Sequence, residues 1–263
     1  LEMNNLSVTL FEDSDYKDDV PTLGMKVSSG TYILNYILDF SDTPYYTDLA
    51  TATLPLLGKD YYVLSVASNN ATITLLDSAV TEVLSEGETK TLTVDGTTYE
   101  ASVANIVSAT EVKLDINGEL TNSLDEGQTY KLSDGTYVGI KDIMYSSKDT
   151  GVSSVEFSLG NGKIELLNNT NIKVNDDTIN DLSVIFTSDS TTALLSKINL
   201  TWTPNDDVFV TEDMELEMPT FGAVKLVYAG EYYPKVKEFF VKGGGYLSES
   251  YWYLYDFTIN YYT

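Results

Sequence analysis

The chain has 263 residues, 43% of them apolar, and carries 40 acidic side chains against 15 basic ones, for a formal net charge of −25. All the basic residues are lysine, and there is neither histidine nor cysteine. This composition excludes disulfides, zinc–thiolate sites, thiol nucleophiles and every catalytic triad built on histidine, and it argues against nucleic acid, whose phosphates such a surface repels.

Val, Ile, Thr and 20 Tyr favour strands over helices. In chain order, Leu6 to Phe11 alternates Leu6, Val8 and Leu10 with polar neighbours, as a half-buried strand does. Glu12 to Asp19 reads as an acidic loop. Met25 to Val27, Ser28-Ser29-Gly30 and Tyr32 to Phe40 read as a hairpin. Leu54 to Gly58 is interrupted by Pro55 and Gly58 and leads into a buried strand, Tyr61 to Val66. Ala71 to Leu76, Thr89 to Val94, Thr98 to Val107 and Val112 to Ile116 are further strands. Asp95-Gly96 and Asn117-Gly118 are hairpin turns between them. Beyond Leu200, Val224 to Val227 is a short strand, Gly243-Gly244-Gly245 a break, and Tyr251 to Tyr262 a long aromatic strand.

A unit repeats inside this series. Leu84-Ser85-Glu86-Gly87-Glu88-Thr89 returns forty residues later as Leu124-Asp125-Glu126-Gly127-Gln128-Thr129, and each copy runs on to an Asp-Gly turn at Asp95-Gly96 or Asp134-Gly135. Ile164, Ile172 and Val174-Asn175-Asp176 suggest a degenerate third copy. The expected fold is all-β and multi-domain: small sandwich or barrel-like repeat modules inserted into a domain made from both chain ends. Residues 1–58 with 200–263 form that terminal domain, 59–108 and 109–146 are the two repeats, and 147–199 the degenerate third.

Acidic side chains are too numerous for sequence to single out a catalytic pair, so no enzyme activity is expected. The sharpest candidate is a cation site, for which calcium is the expected ion: Asp13, Asp15, Asp18 and Asp19 place four carboxylates in seven residues. Asn205-Asp206-Asp207 and Asn175-Asp176-Asp177 are smaller oxygen clusters, and Asp206 and Asp207 complete the candidate metal ligands. N-x-S/T sequons mark Asn5, Asn70, Asn168 and Asn199 as candidate glycosylation positions. Tyr251, Trp252 and Tyr253 are candidate carbohydrate-stacking residues, the basis of an alternative reading as a glycan-binding or adhesion module. No apolar run approaches 18 residues, so no membrane-inserted segment is expected, and because Leu1-Glu2-Met3 opens in polar sequence no signal peptide is expected at this start. The chain suits a segment whose signal and anchor lie elsewhere.

Leu54 to Leu64, with Leu57-Gly58-Lys59-Asp60-Tyr61, followed by Ile73-Thr74-Leu75-Leu76 and the repeated Leu84 to Thr89 and Val94 to Gly96 texture, resembles archaeal surface-layer proteins. The likeness covers residues 54–145. It implies a secreted, extracellular, N-glycosylated structural protein that meets copies of itself in a cell-surface lattice, with divalent cations helping to hold it. It assigns no catalytic residues.

Overall fold

A computed structural model describes residues 1–67, 72–147, 151–189, 194–212 and 214–230, and the fold is all-β. Its largest element is an antiparallel sheet of nine strands. In spatial order they are Glu2–Met3, Leu34–Asp39, Leu194–Trp202, Asp177–Asp189, Thr170–Val174, Gly162–Leu167, Thr72–Asp77, Lys59–Ala67 and Thr53–Leu56. Strand alternation sends Leu34, Val63, Leu75, Leu166, Ile172, Val184, Leu200 and Trp202 to one side, into a single apolar core. Side chains shut away this completely contribute about 1.5–3 kcal/mol each. The far side of that core is closed by Met25, Val27 and Val210 from a three-stranded sheet (Thr9–Phe11, Thr22–Val27, Val208–Val210), and by Tyr46, Leu49, Met218 and Phe221.

The expected hairpin around Ser28-Ser29-Gly30 does not form. Thr22–Val27 pairs with Thr9–Phe11 and Val208–Val210, while Leu34–Asp39 pairs with Glu2–Met3 and Leu194–Trp202. The segment between them passes the chain from one layer to the other. Within Thr22–Val27 itself Gly24 is required, because a Cβ at that position would stand 2.6 Å from the Val210 carbonyl oxygen.

Between Asp77 and Gly162 the chain leaves the large sheet and builds an insert with its own core. One four-stranded sheet holds Thr89–Val94, Thr97–Ile106, Val112–Ile116 and Glu119–Leu120. The other holds Val80–Ser85, Ser154–Gly160, Tyr137–Met144 and Thr129–Lys131. Leu92, Tyr99, Leu114 and Ile116 from the first meet Leu84, Val138, Ile140, Phe157 and Leu159 from the second.

This corrects the expected boundaries. Strands Lys59–Ala67 and Thr72–Asp77 belong to the large sheet because Val63, Ile73 and Leu75 complete its core, so the insert starts near Val80 rather than at residue 59. Ile164 and Ile172 belong to the large sheet too, so residues 162–189 are not a third module. The two repeats are halves of one sandwich, not separate modules. A lone hairpin cannot bury both its faces, and each copy supplies one hairpin to the shared core.

The duplicated sequence is duplicated structure. In the first copy the Glu88 N–H reaches the Ser85 carbonyl at 3.0 Å and the Ser85 N–H donates to Glu88 Oε2 at 3.1 Å, with Gly87 at φ +80°. In the second, the Gln128 N–H reaches the Asp125 carbonyl at 3.1 Å and the Asp125 N–H donates to Gln128 Oε1 at 3.1 Å, with Gly127 at φ +79°. The positive φ at the third position fits a type II turn, which is why both copies carry Gly there. The hairpins beyond differ. Asp95 and Gly96, both left-handed, close a two-residue loop, whereas Ser133-Asp134-Gly135 closes a three-residue one.

Candidate functional site

The candidate acidic loop is organised around a lysine. Lys26 projects from Thr22–Val27 between Asp13 and Asp207, reaching Asp207 Oδ2 at 2.9 Å and Asp13 Oδ2 at 2.5 Å. Its ammonium also lies 5.8 Å from the Phe209 ring. Beneath it Phe11, Tyr16 and Phe209 pack with centroids 5.0–5.6 Å apart, and Tyr16 Oη shares a 2.8 Å hydrogen bond with Thr211. The hydrogen bond from Lys26 holds the Asp13 carboxyl below its ordinary value. Asp207 is lowered by the Ser29 N–H and then by Lys26, and the Lys26 ammonium is raised by both carboxylates.

Two of the sequence candidates, Asp13 and Asp207, therefore converge from opposite ends of the chain, and the cation between them is the protein's own. Asp15, Asp18, Asp19 and Asp206 are exposed; Lys17, Asp18 and Asp19 turn the loop with three consecutive left-handed residues. Among the described residues, no three carboxylates gather where they could share a metal ion.

The second constellation lies where the insert sits on the large sheet, and sequence reading missed it. Leu64 and Leu76 alternate with core residues of their strands and so point outward, where they pack against Tyr137 of the insert. Tyr137 Oη donates to Asp176 Oδ2 at 3.0 Å. Lys163, buried, pairs with the same carboxylate and lies 5.4 Å from the Tyr137 ring; Lys131 approaches that ring at 5.6 Å. Burial and the Asp176 carboxylate push the Tyr137 hydroxyl well above its usual value, while the bond from Lys163 lowers Asp176.

Close approach depends on small residues. A Cβ at Gly139 would stand 2.6 Å from Leu64, one at Gly160 would stand 2.9 Å from Leu76 Cβ and 3.1 Å from the Asp77 carbonyl, and one at Gly127 would stand 3.1 Å from Ser65 Cβ. A glycine inside one strand, Gly139, and one ending the next, Gly160, are the sequence signal that could have revealed the seam.

Of the sequons, Asn5 is exposed. The Asn168 side-chain oxygen Oδ1 accepts the Phe186 N–H at 2.8 Å. Asn199 lies mid-strand, its oxygen closed off and without a hydrogen-bond partner among the described residues. Asn70 and the aromatics Tyr251, Trp252 and Tyr253 lie outside the described residues. A cleft of about 290 Å³ is lined by amides and hydroxyls, including Asn171, Asn180, Ser183 and Asn205, with Asp181 as its carboxylate. Among the described residues no helix is long and apolar enough to cross a membrane.

The chain matches no protein-family model, no characterised protein and no solved structure.

Proposed function

We propose that this chain is a structural building block of a cell-surface layer, acting by lateral association with copies of itself and not by catalysis. The observation that carries this reading is the seated insert. A duplicated turn-and-hairpin unit forms both halves of a sandwich, and that sandwich is fixed to a nine-stranded sheet through glycines and the Tyr137–Asp176–Lys163 contact. Such construction yields a stiff block. The resemblance of residues 54–145 to archaeal surface-layer proteins supports the same reading, as does exposed Asn5, which we take as the foremost glycan position.

A net charge of −25 opposes contact between copies, so association requires screening or bridging by cations. With Asp13 and Asp207 held by Lys26, bridging calcium ions would act between copies, at exposed carboxylates such as Asp15, Asp18, Asp19 and Asp206. Electron microscopy of the concentrated protein with and without calcium tests this. Ordered sheets or strings that disperse on chelation are expected. Dispersed particles under every condition would end the structural reading, and sheets indifferent to chelation would remove calcium from it.

A second reading, glycan adhesion, is favoured by the cleft at Asn171, Asn180 and Asn205, whose amides and hydroxyls suit a polyhydroxyl ligand. Chemical-shift changes confined to those residues during titration with oligosaccharides would support it, and silence across a broad glycan panel would dismiss it.

A further inference from the structure

The outward side of the large sheet is divided. Where Lys59–Ala67 and Thr72–Asp77 run, it is covered by the insert. Farther along, Leu34–Asp39, Leu194–Trp202 and Asp177–Asp189 lie side by side, with Leu34, Ile198, Leu200, Val184 and Phe186 directed into the core. The residues between them point outward. Ile37, Asn199 and Ile185 stand abreast at the centre of this patch; Ile37 and Asn199 are half-buried, the Asn199 side-chain oxygen is closed off between its neighbours' atoms, and Ile185 keeps 46% of its surface exposed. Across the nine outward positions within 35–39, 183–187 and 197–201, the only charges are Asp39 and Lys197, bonded to each other at 2.7 Å.

In a chain with 40 acidic residues and 15 lysines, this stretch of sheet carries no net charge and has two isoleucines at its centre. We infer that this patch is the contact surface for a second copy of the chain. Copies carrying the same strong charge repel wherever their carboxylates face each other, and approach most readily where the local charge cancels. The Asp39–Lys197 pair makes the patch self-complementary. A copy related by a two-fold axis running between Leu34–Asp39 and Leu194–Trp202 can set its Lys197 against this copy's Asp39 and the reverse, with Ile37 of each copy against Asn199 of the other.

Three strands about 4.8 Å apart and five residues at about 3.3 Å each give a patch roughly 15 by 17 Å. That is well below the ~800 Å² per partner of a stable complex, so the contact is weak singly and effective when repeated. The inference rests on the self-association proposed above and adds the surface by which it occurs.

The test uses the whole chain with a photo-crosslinking benzoylphenylalanine at position 185, irradiated at about 0.1–1 mM, where a contact this weak is populated. The expected product is a dimer whose cross-linked peptides contain residues 35–39, 183–187 or 197–201 of the other copy. Cross-links confined to one chain would mean that another segment of the same chain covers the row, and would overturn the inference. So would a glycan on Asn199 in protein from its natural source, since it would occupy the patch. In parallel, Ile185→Glu should weaken association at least about tenfold, while Val152→Glu, at an exposed position of the insert, should leave it unchanged. Association of Ile185→Glu equal to wild type would reject this surface but spare the self-association reading; absence of association in wild type would reject both.

Discussion

Two lysines organise the acidic side chains that matter most to this fold, and they do so in different surroundings. Lys26 lies at the surface between Asp13 and Asp207. Replacing it with methionine leaves two carboxylates facing each other, so the melting temperature should drop and the deficit should shrink in molar salt, where charges are screened within about 3 Å. Lys163 is buried in the seam and holds Asp176, which also accepts from Tyr137. Because the folded protein lowers the Asp176 carboxyl below its ordinary 3.8, the stability it adds is present above that value and is lost as pH falls through the lower folded one. Asp176→Asn should therefore melt below wild type at pH 7, and the two curves should converge toward pH 2. A gap that persists undiminished in acid would assign the effect to shape and not to charge. The Asp13–Asp15–Asp18–Asp19 run was legible as a cluster. That one of its members would meet Asp207 across Lys26 was not, because residues far apart in the chain are joined only by the pairing of Thr22–Val27 with Val208–Val210.

At the scale of elements, the matched turns at Ser85–Glu88 and Asp125–Gln128 offer a controlled comparison. Both glycines are left-handed, so alanine at either should cost about 1–2 kcal/mol from backbone strain. At Gly87 the new methyl meets open space, whereas at Gly127 it meets Ser65 of the large sheet at 3.1 Å. Urea denaturation should therefore show a larger loss for Gly127→Ala than for Gly87→Ala. Equal losses would mean that the insert does not press on the sheet at that point. Gly160→Ala, crowded by Leu76 and the Asp77 backbone, should cost about 1–3 kcal/mol by overpacking alone. Most strands and the Asp95-Gly96 and Asn117-Gly118 turns could be read from alternation and turn chemistry. The hairpin expected around Gly30 could not, because local pattern says where a strand runs and not which strand it joins; there the partners come from the chain's far end.

For the whole molecule, the duplication was visible in sequence while its meaning was not. Two similar segments can be two modules or two halves of one, and the choice depends on whether each can bury its own apolar face. Leu92 and Leu132 lie in one core, which decides for halves. Strands Lys59–Ala67 and Thr72–Asp77 looked like the start of the first repeat because they precede it closely, yet Val63 and Leu75 are needed by the core of the large sheet. The described residues form a block with two cores and one tight seam, and the outward side of its largest sheet carries a patch whose two charges are paired. Sedimentation velocity of the intact chain over a wide concentration range, at low salt and again with calcium or high salt, bears on this account most directly. Sedimentation coefficients that climb with concentration, and climb further once the charge is screened, are what a self-associating block of this kind should give. A single unchanging monomer boundary under all those conditions would contradict it.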